Sequence, residues 1–157
     1  MSNSDQLEED PYSVALTIAL AAIGRRSLSK RQLRDHLVKR GTPEVALEQT
    51  LLRLEEMGYL NDLTFAREFA DRSRRKSSKR AIIQGLKERS IDPEIIDWVI
   101  EDYSDESEYE LARTLAEKKW RSARSIDPET SRRRIMAALQ RKGFSRSTSM
   151  RIVKELR

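Results

Sequence analysis

The chain has 157 residues, of which 36% are charged and 38% hydrophobic, and its formal net charge is +5. It contains no cysteine, which excludes disulfide bonds, zinc–thiolate sites and cysteine-based catalysis. The longest mainly apolar stretch, residues 14–23, is too short to span a bilayer and follows acidic rather than basic residues, so it predicts neither a membrane helix nor a secretory signal. We therefore expect a cytoplasmic protein without membrane contact, and the excess of basic residues favours an anionic partner.

Helix start and stop signals recur along the chain and predict an all-α protein. Residues 1–9 are acidic and aperiodic, so we expect a disordered tail there. Side chains that can cap a helix precede the expected starts, four of them before a proline and one in a capping box with Gln32: Asp10, Ser29, Thr42, Asp62, Ser78, Asp92, Ser104, Asp127 and Ser145. Glycines suited to helix ends are Gly24, Gly41, Gly58 and Gly143. The expected helices cover residues 11–24, 29–40, 43–57, 62–76, 78–89, 93–103, 105–121, 128–142 and 146–156, and no stretch alternates as a strand would.

One apolar pattern occurs three times along the chain. Each copy begins with an apolar residue followed by alanine, in the pairs Val14-Ala15, Phe65-Ala66 and Leu111-Ala112. The second helix of each copy ends at an equivalent turn residue, which is Gly41, Ser90 or Gly143. A period of about fifty residues is typical of stacked supersecondary units. We therefore predict three tandem three-helix, helix-turn-helix-like repeats, at residues 10–60, 61–103 and 104–157, that stack into an elongated, curved array.

Basic residues concentrate on the second helix of each repeat, whereas the third helices of the first two repeats are acidic. A further basic cluster, residues 72–80, spans the turn between the first two helices of the middle repeat. If stacking keeps equivalent helices on one side, the cations form a stripe that suits a phosphate backbone or an acidic protein groove. The cations that we expect to contact a partner are Arg25, Arg26, Lys30, Arg31, Arg34, Arg72, Arg74, Arg75, Lys76, Lys79, Arg80, Lys87, Arg132, Arg133 and Arg134.

The sequence contains no pattern typical of a catalytic, metal or cofactor site. His36 is the only histidine, and no phosphate loop or catalytic-triad spacing is present. The hydroxyl-rich segment around Ser147 has no histidine nearby to activate a nucleophile. Trp120, beside Lys118 and Lys119, is the one aromatic residue that we consider as a stacking platform for a base. We therefore expect a non-enzymatic protein without cofactors.

The segment Gly58-Tyr59-Leu60-Asn61-Asp62-Leu63-Thr64-Phe65-Ala66 resembles the hallmark of the RecX family, the bacterial regulators of the RecA recombinase. As a joint between two repeats, it would end one helix at Gly58, pack Tyr59 and Leu60, and cap the next helix with Asp62. Phe65 and Ala66 would then enter the core.

Two flanking segments resemble the same family. Arg25-Arg26-Ser27, with Ser29 and Leu33, is similar to its first-repeat signature, and residues 82–91 are similar to its middle-repeat signature. The chain departs from the family pattern near Ser77 or Ser78 and at Ser90, where the family often has glycine. It also departs at Asn61, where the family often has the first of two acidic residues.

The resemblance implies a regulatory protein of DNA repair, homologous recombination and the SOS response. Such a protein would bind RecA filaments on single-stranded DNA as a monomer, lodge along the helical groove and inhibit ATP hydrolysis, strand exchange and filament extension. It would contact single-stranded DNA either directly or through the filament.

Two other functions stay open at this point. Short basic helices also occur in helix-turn-helix transcriptional regulators, and Gln32, Gln84 and Gln140, all on second helices, are the candidates for reading base edges. A protein-interaction scaffold without nucleic-acid contact is the third hypothesis.

Overall fold

The computed structural model describes residues 9–157, which form nine α-helices and no β-strand. The helices are α1 (Pro11–Arg25), α2 (Lys30–Lys39), α3 (Glu44–Glu56), α4 (Asp62–Ser73), α5 (Lys79–Glu88), α6 (Pro93–Ile100), α7 (Asp105–Ser122), α8 (Pro128–Arg141) and α9 (Arg146–Glu155). The all-α prediction is therefore confirmed. The tail expected to be disordered lies, apart from Glu9, outside the described residues.

Most helices begin at the expected capping residue. Ser29 forms a complete capping box with Gln32, and the side chain of Ser78 accepts a hydrogen bond from the Ala81 N–H. The prediction for Thr42 is wrong, because α3 starts after Pro43 without a side-chain cap. The Gly24 stop is also misplaced, since α1 continues through Gly24 to Arg25.

The cap of α4 is Asn61 rather than Asp62. The Asn61 Oδ1 accepts a hydrogen bond from the Thr64 N–H at 3.0 Å, and its carbonyl accepts the Phe65 N–H. Asp62 is already the first residue of the helix, so its carboxylate is available for a contact elsewhere.

The chain packs as two compact units, of which the first ends at Phe65 and the second begins at Ala66. In the first unit, α1, α2 and α3 all pack against one another around a leucine-rich core that includes Leu33, Leu47 and Leu54. In the second unit, α7, α8 and α9 surround a core that includes Ile135 and Ile152. The three-repeat boundaries at 10–60, 61–103 and 104–157, and the elongated stacking of the repeats, stay predictions.

Carboxylates lie at the amino-terminal ends of two second helices. Asp62 Oδ1 accepts the Lys30 N–H at 2.8 Å, and Glu108 Oε2 accepts the Lys79 N–H at 3.2 Å. Both carboxylates stand three residues before a repeated apolar–alanine pair, so they are equivalent positions of the sequence repeat. Free N–H groups at a helix start attract negative charge. The sequence repeat is therefore accompanied by a repeated polar contact. This contact joins the start of a second helix to the first helix of the next repeat.

Gly143 allows a close approach within the second unit. The carbonyl of Lys142 accepts the Ser78 N–H at 3.0 Å. A Cβ on Gly143 would overlap Ser78 Oγ and lie 2.7 Å from Ala81 Cβ, and the Gly143 φ is +92°. Only glycine both tolerates this φ and leaves room for Ser78 and Ala81. The turn after α8 can therefore pack directly on the start of α5.

We expect the Ser90→Gly substitution to stabilise the protein. Ser90 has a φ of 55°, where the equivalent turn residues Gly41 and Gly143 are glycines with positive φ. The left-handed conformation costs a residue other than glycine about 1–2 kcal/mol. Glycine removes this cost, but it also gives the unfolded chain more conformational freedom, which offsets about 0.4–1 kcal/mol of the gain. Urea denaturation should therefore show a gain of about 0.5–1 kcal/mol. The matched control is Gly41→Ser, which should destabilise; a gain from both exchanges would contradict the backbone argument.

We expect Asp62→Asn to keep the stability that Asp62→Ala loses. Burial raises the pKa of the half-buried Asp62 carboxyl, despite the Lys30 N–H that it accepts. With a raised pKa, the carboxyl contributes its full stabilisation of the folded state below its unfolded pKa. This stabilisation is lost as the pH rises through the folded pKa. Asparagine keeps an acceptor without the buried charge, so at pH 7 Asp62→Asn should be at least as stable as the parent, whereas Asp62→Ala should lose about 1 kcal/mol.

Urea denaturation of both variants at pH 7 and at lower pH checks this expectation. The advantage of Asp62→Asn over the parent should shrink as pH falls through the folded pKa. An advantage that grows with acidity, or an equal loss in both variants, would contradict it.

Candidate functional site

Three of the predicted cations in the first unit are neutralised within that unit. They are Lys30, which pairs with Glu55, Arg31, which pairs with Asp35, and Arg34, which pairs with both Glu44 and Glu48. The two carboxylates raise the pKa of the Arg34 guanidinium, and the Arg34 hydrogen bond lowers the pKa of Glu48. The basic α2 and the acidic α3 therefore pair with each other within the first unit.

Arg25 and Arg26 are exposed at the end of α1. Together with His36 and Arg40 they line a groove between α1 and α2. The structure thus brings these two predicted cations together and leaves them accessible, in contrast to the paired cations of α2.

Arg74 and Lys79 are occupied in the second unit. The Arg74 guanidinium lies 4.1 Å from the centroid of the Tyr103 ring, and the Tyr103 hydroxyl donates to the Ala70 carbonyl at 3.0 Å. Lys79 Nζ donates to the Tyr103 carbonyl at 3.4 Å. The contact with Tyr103 raises the pKa of Arg74. Both cations, through Tyr103, hold the segment after α6 against α4 and α5. This role of Tyr103 does not follow from the sequence pattern.

The remaining predicted cations of the middle repeat are exposed, and their side chains form no ion pair or hydrogen bond with the residues that the structure describes. We call them the middle cationic surface: Arg72, Arg75, Lys76, Arg80 and Lys87. Arg80 and Lys87 line one groove on α5, with Gln84 between them on the same helix face. This surface is the part of the predicted cluster that can accept an anionic partner without losing an internal contact.

Of the three predicted cations on α8, one packs against another side chain and two are exposed. Arg132 lies 5.1 Å from the centroid of the Trp120 ring and donates to the Leu156 carbonyl at 3.2 Å. The Trp120 Nε1–H donates to the Arg157 carbonyl at 3.0 Å. Trp120 is therefore engaged by Arg132 rather than open as a base-stacking platform. Arg133 and Arg134 are exposed, and whether the basic helices align into one stripe stays a prediction.

The hallmark segment is partly core and partly surface. Gly58 adopts a left-handed φ of +77°, as its position at a helix end requires. Leu60, Phe65 and Ala66 are buried. The expectation that Tyr59 packs is wrong, because 57% of it is exposed.

The three candidate base-reading glutamines have different local environments. The Gln32 side chain accepts the Ser29 N–H in the capping box, and Gln84 donates to Glu88. Gln140 is exposed on α8. Reading a base with Gln32 would therefore open the start of α2.

Residues 9–157 contain neither a membrane-spanning helix nor a metal-binding group of side chains. No helix in this range has the length and apolar character needed to cross a membrane. Within the same range, no group of three or more histidine, aspartate or glutamate side chains is arranged to hold a metal ion.

Comparisons with known proteins agree on one family. The family model described as "RecX, third three-helix domain" matches residues 105–153. The regulatory protein RecX of Streptomyces lividans is 34% identical over 148 residues, which cover 93% of this chain and 79% of that protein. The regulatory protein RecX of Mycobacterium leprae is 35% identical over 148 residues, which cover 92% of this chain and 86% of that protein.

The solved structures show the same fold. The crystal structure of RecX from Lactobacillus salivarius superposes with a TM-score of 0.73 at 22% sequence identity, over 94% of this chain and 97% of that one. From the sequence relatives and the matching family model, the chain belongs to the RecX family of regulatory proteins.

Proposed function

We propose that this protein is a non-enzymatic, cytoplasmic regulator of homologous recombination that binds RecA filaments on single-stranded DNA as a monomer. On binding, it inhibits ATP hydrolysis, strand exchange and filament extension. Its membership of a family of regulatory proteins supports this proposal. The single observation that carries the choice of site is the middle cationic surface, where exposed cations have no partner within residues 9–157.

The physical reason for this choice is the cost of exchanging partners. Arg34 would have to lose two carboxylates before it could bind another anion. Arg75 and Arg80 have no such contact to lose among the described residues, so their full electrostatic attraction is available to a filament that carries phosphate groups. Several such weak contacts acting together give useful affinity without a deep pocket.

The alternative of a sequence-specific transcriptional regulator has less support. Direct readout of bases needs amide or guanidinium groups free to reach the base edges. Gln32 is held in a capping box and Gln84 by Glu88. No observation on α2, α5 or α8 favours base recognition over contact with a phosphate backbone or an acidic protein surface.

We expect the Arg75→Glu/Lys76→Glu variant to lose inhibition of RecA ATP hydrolysis on single-stranded DNA. Both side chains belong to the middle cationic surface and are exposed, so the folded state should keep its helicity. Loss of these contacts should raise the concentration needed for half-inhibition about tenfold or more, given about 1 kcal/mol or more for each contact. ATPase titration and circular dichroism measure the two quantities.

The matched control is Arg31→Glu/Arg53→Glu, which changes the net charge by the same amount. Arg31 and Arg53 already pair with Asp35 and Glu56 in the first unit, so this variant should inhibit nearly as well as the parent. Equal loss in both variants would show an effect of overall charge and refute the assignment of the site. A parent protein that leaves ATP hydrolysis unchanged would refute the proposed function itself.

We expect direct binding of single-stranded DNA to depend on the same surface. In a titration of labelled oligo(dT), the logarithm of the affinity should fall linearly with the logarithm of the salt concentration. Replacing Arg80 and Lys87 by glutamine should reduce the slope by about two, roughly one for each phosphate contact. An unchanged slope would mean that these cations meet protein rather than DNA in the filament.

A further inference from the structure

The serine at the start of the second helix has a different environment in the third repeat. Ser29, Ser78 and Ser131 are equivalent in sequence, since each stands four residues before the first core residue of its helix. Ser29 and Ser78 cap their helices. In the third repeat the helix starts earlier, at Pro128 with Asp127 as its cap. Ser131 is therefore inside α8, only 2% exposed, and its Oγ has no hydrogen-bond partner among the described residues.

Ser131 lines a groove between the end of α7 and α8. Three cations also line this groove, and they are Lys119, Arg134 and Arg141. Its apolar lining includes Ile126, Ile135 and Ala138. The groove thus combines apolar surface, several positive charges and one buried hydroxyl without a partner.

In the other two repeats an acidic side chain accepts the N–H of the residue that follows the equivalent serine. Asp62 reaches the start of α2, and Glu108 reaches the start of α5. At α5, the Lys142–Gly143 turn also packs against Ser78. The Ser131 Oγ has no hydrogen-bond partner among the described residues. Because α8 starts at Pro128, this position lies inside the helix in the third repeat, beside a groove lined by three cations.

We propose that this groove binds an acidic, amphipathic peptide segment of a protein partner. An apolar side chain of the segment packs on Ile126 and Ile135, while its carboxylates pair with Lys119 and Arg134. A further carboxylate accepts a hydrogen bond from the Ser131 hydroxyl after rotation about χ1. This is the helix-in-groove mode of peptide recognition, with charge complementarity at the rim.

The lining favours a peptide over nucleic acid. A phosphate backbone would satisfy the cations but would gain nothing from the apolar lining formed by Ile126, Ile135 and Ala138. Binding of single-stranded bases generally uses aromatic stacking platforms, and none of the residues that line the groove is aromatic. The inference goes beyond the proposed function, because it concerns a separate surface and a separate partner chemistry.

The test uses the full chain and a labelled synthetic peptide. The peptide is helical, about 15 residues long, and carries leucines at i and i+4 among glutamates. A second peptide has lysines in place of the glutamates. Fluorescence anisotropy should show saturable binding of the acidic peptide and none of the basic one. Lys119→Glu/Arg134→Glu should weaken binding about tenfold or more, as expected for the loss of two charge pairs.

Matched controls separate the groove from general electrostatics. Arg121→Glu/Arg133→Glu makes the same charge change on α7 and α8 at exposed positions outside the groove lining, and it should leave affinity within about twofold of the parent. Ser131→Ala should weaken binding about tenfold, as for a lost hydrogen bond to a charged group, while the midpoint of thermal unfolding stays the same or rises. A purely structural serine would not show that combination.

Several results would overturn the proposal. They are absence of acidic-peptide binding to the parent, equal loss in the two double variants, and displacement of the peptide by oligo(dT), which would identify a phosphate site. Self-association that disappears in Lys119→Glu/Arg134→Glu, without peptide binding, would identify a second copy of the chain as the occupant. Since no filament is present in these measurements, their failure leaves the proposed function to its own ATPase test.

Discussion

The structure depends on what occupies the amino-terminal end of each second helix. At α2 and α5 a serine caps the helix, and a carboxylate from the following first helix accepts the next N–H. N–H groups at a helix start have no partner within the helix and carry a partial positive charge. The contact satisfies one of these donors and ties the second helix of a repeat to the first helix of the next repeat. Asp62 of the hallmark segment belongs to this contact, which gives the segment a physical role at a joint.

The same preference for paired charges decides which cations are free for a partner. In the first unit the acidic α3 neutralises much of α2, with Arg34 held by two glutamates. In the middle repeat, Arg74 stacks on Tyr103 while Arg75 and Arg80 stay exposed. Net charge and charge per helix therefore overestimate the binding surface, because an internal ion pair, although weak at an exposed position, has to be exchanged before its cation can bind another anion.

The third repeat shows how one shift of a helix start changes the chemistry of an equivalent position. Asp127 and Pro128 begin α8 one turn earlier than the repeat would suggest. The residue equivalent to the capping serines of α2 and α5 is Ser131. Its buried hydroxyl has no hydrogen-bond partner in the described part of the chain, and it lines a groove with several cations. The apolar core positions are thus repeated more faithfully among the three repeats than the polar contacts are.

The sequence by itself determined the helices, most of their caps and the apolar residues of the repeat, because these depend on contacts between residues a few positions apart. The Ser29 cap reaches Gln32, and the apolar spacing follows the helical period. Only the tertiary structure decided that Asp62 contacts Lys30, that Tyr59 is exposed, that Trp120 is covered by Arg132 and that Arg34 is neutralised. These outcomes depend on residues ten or more positions apart or on how helices pack, and neither is encoded in local spacing.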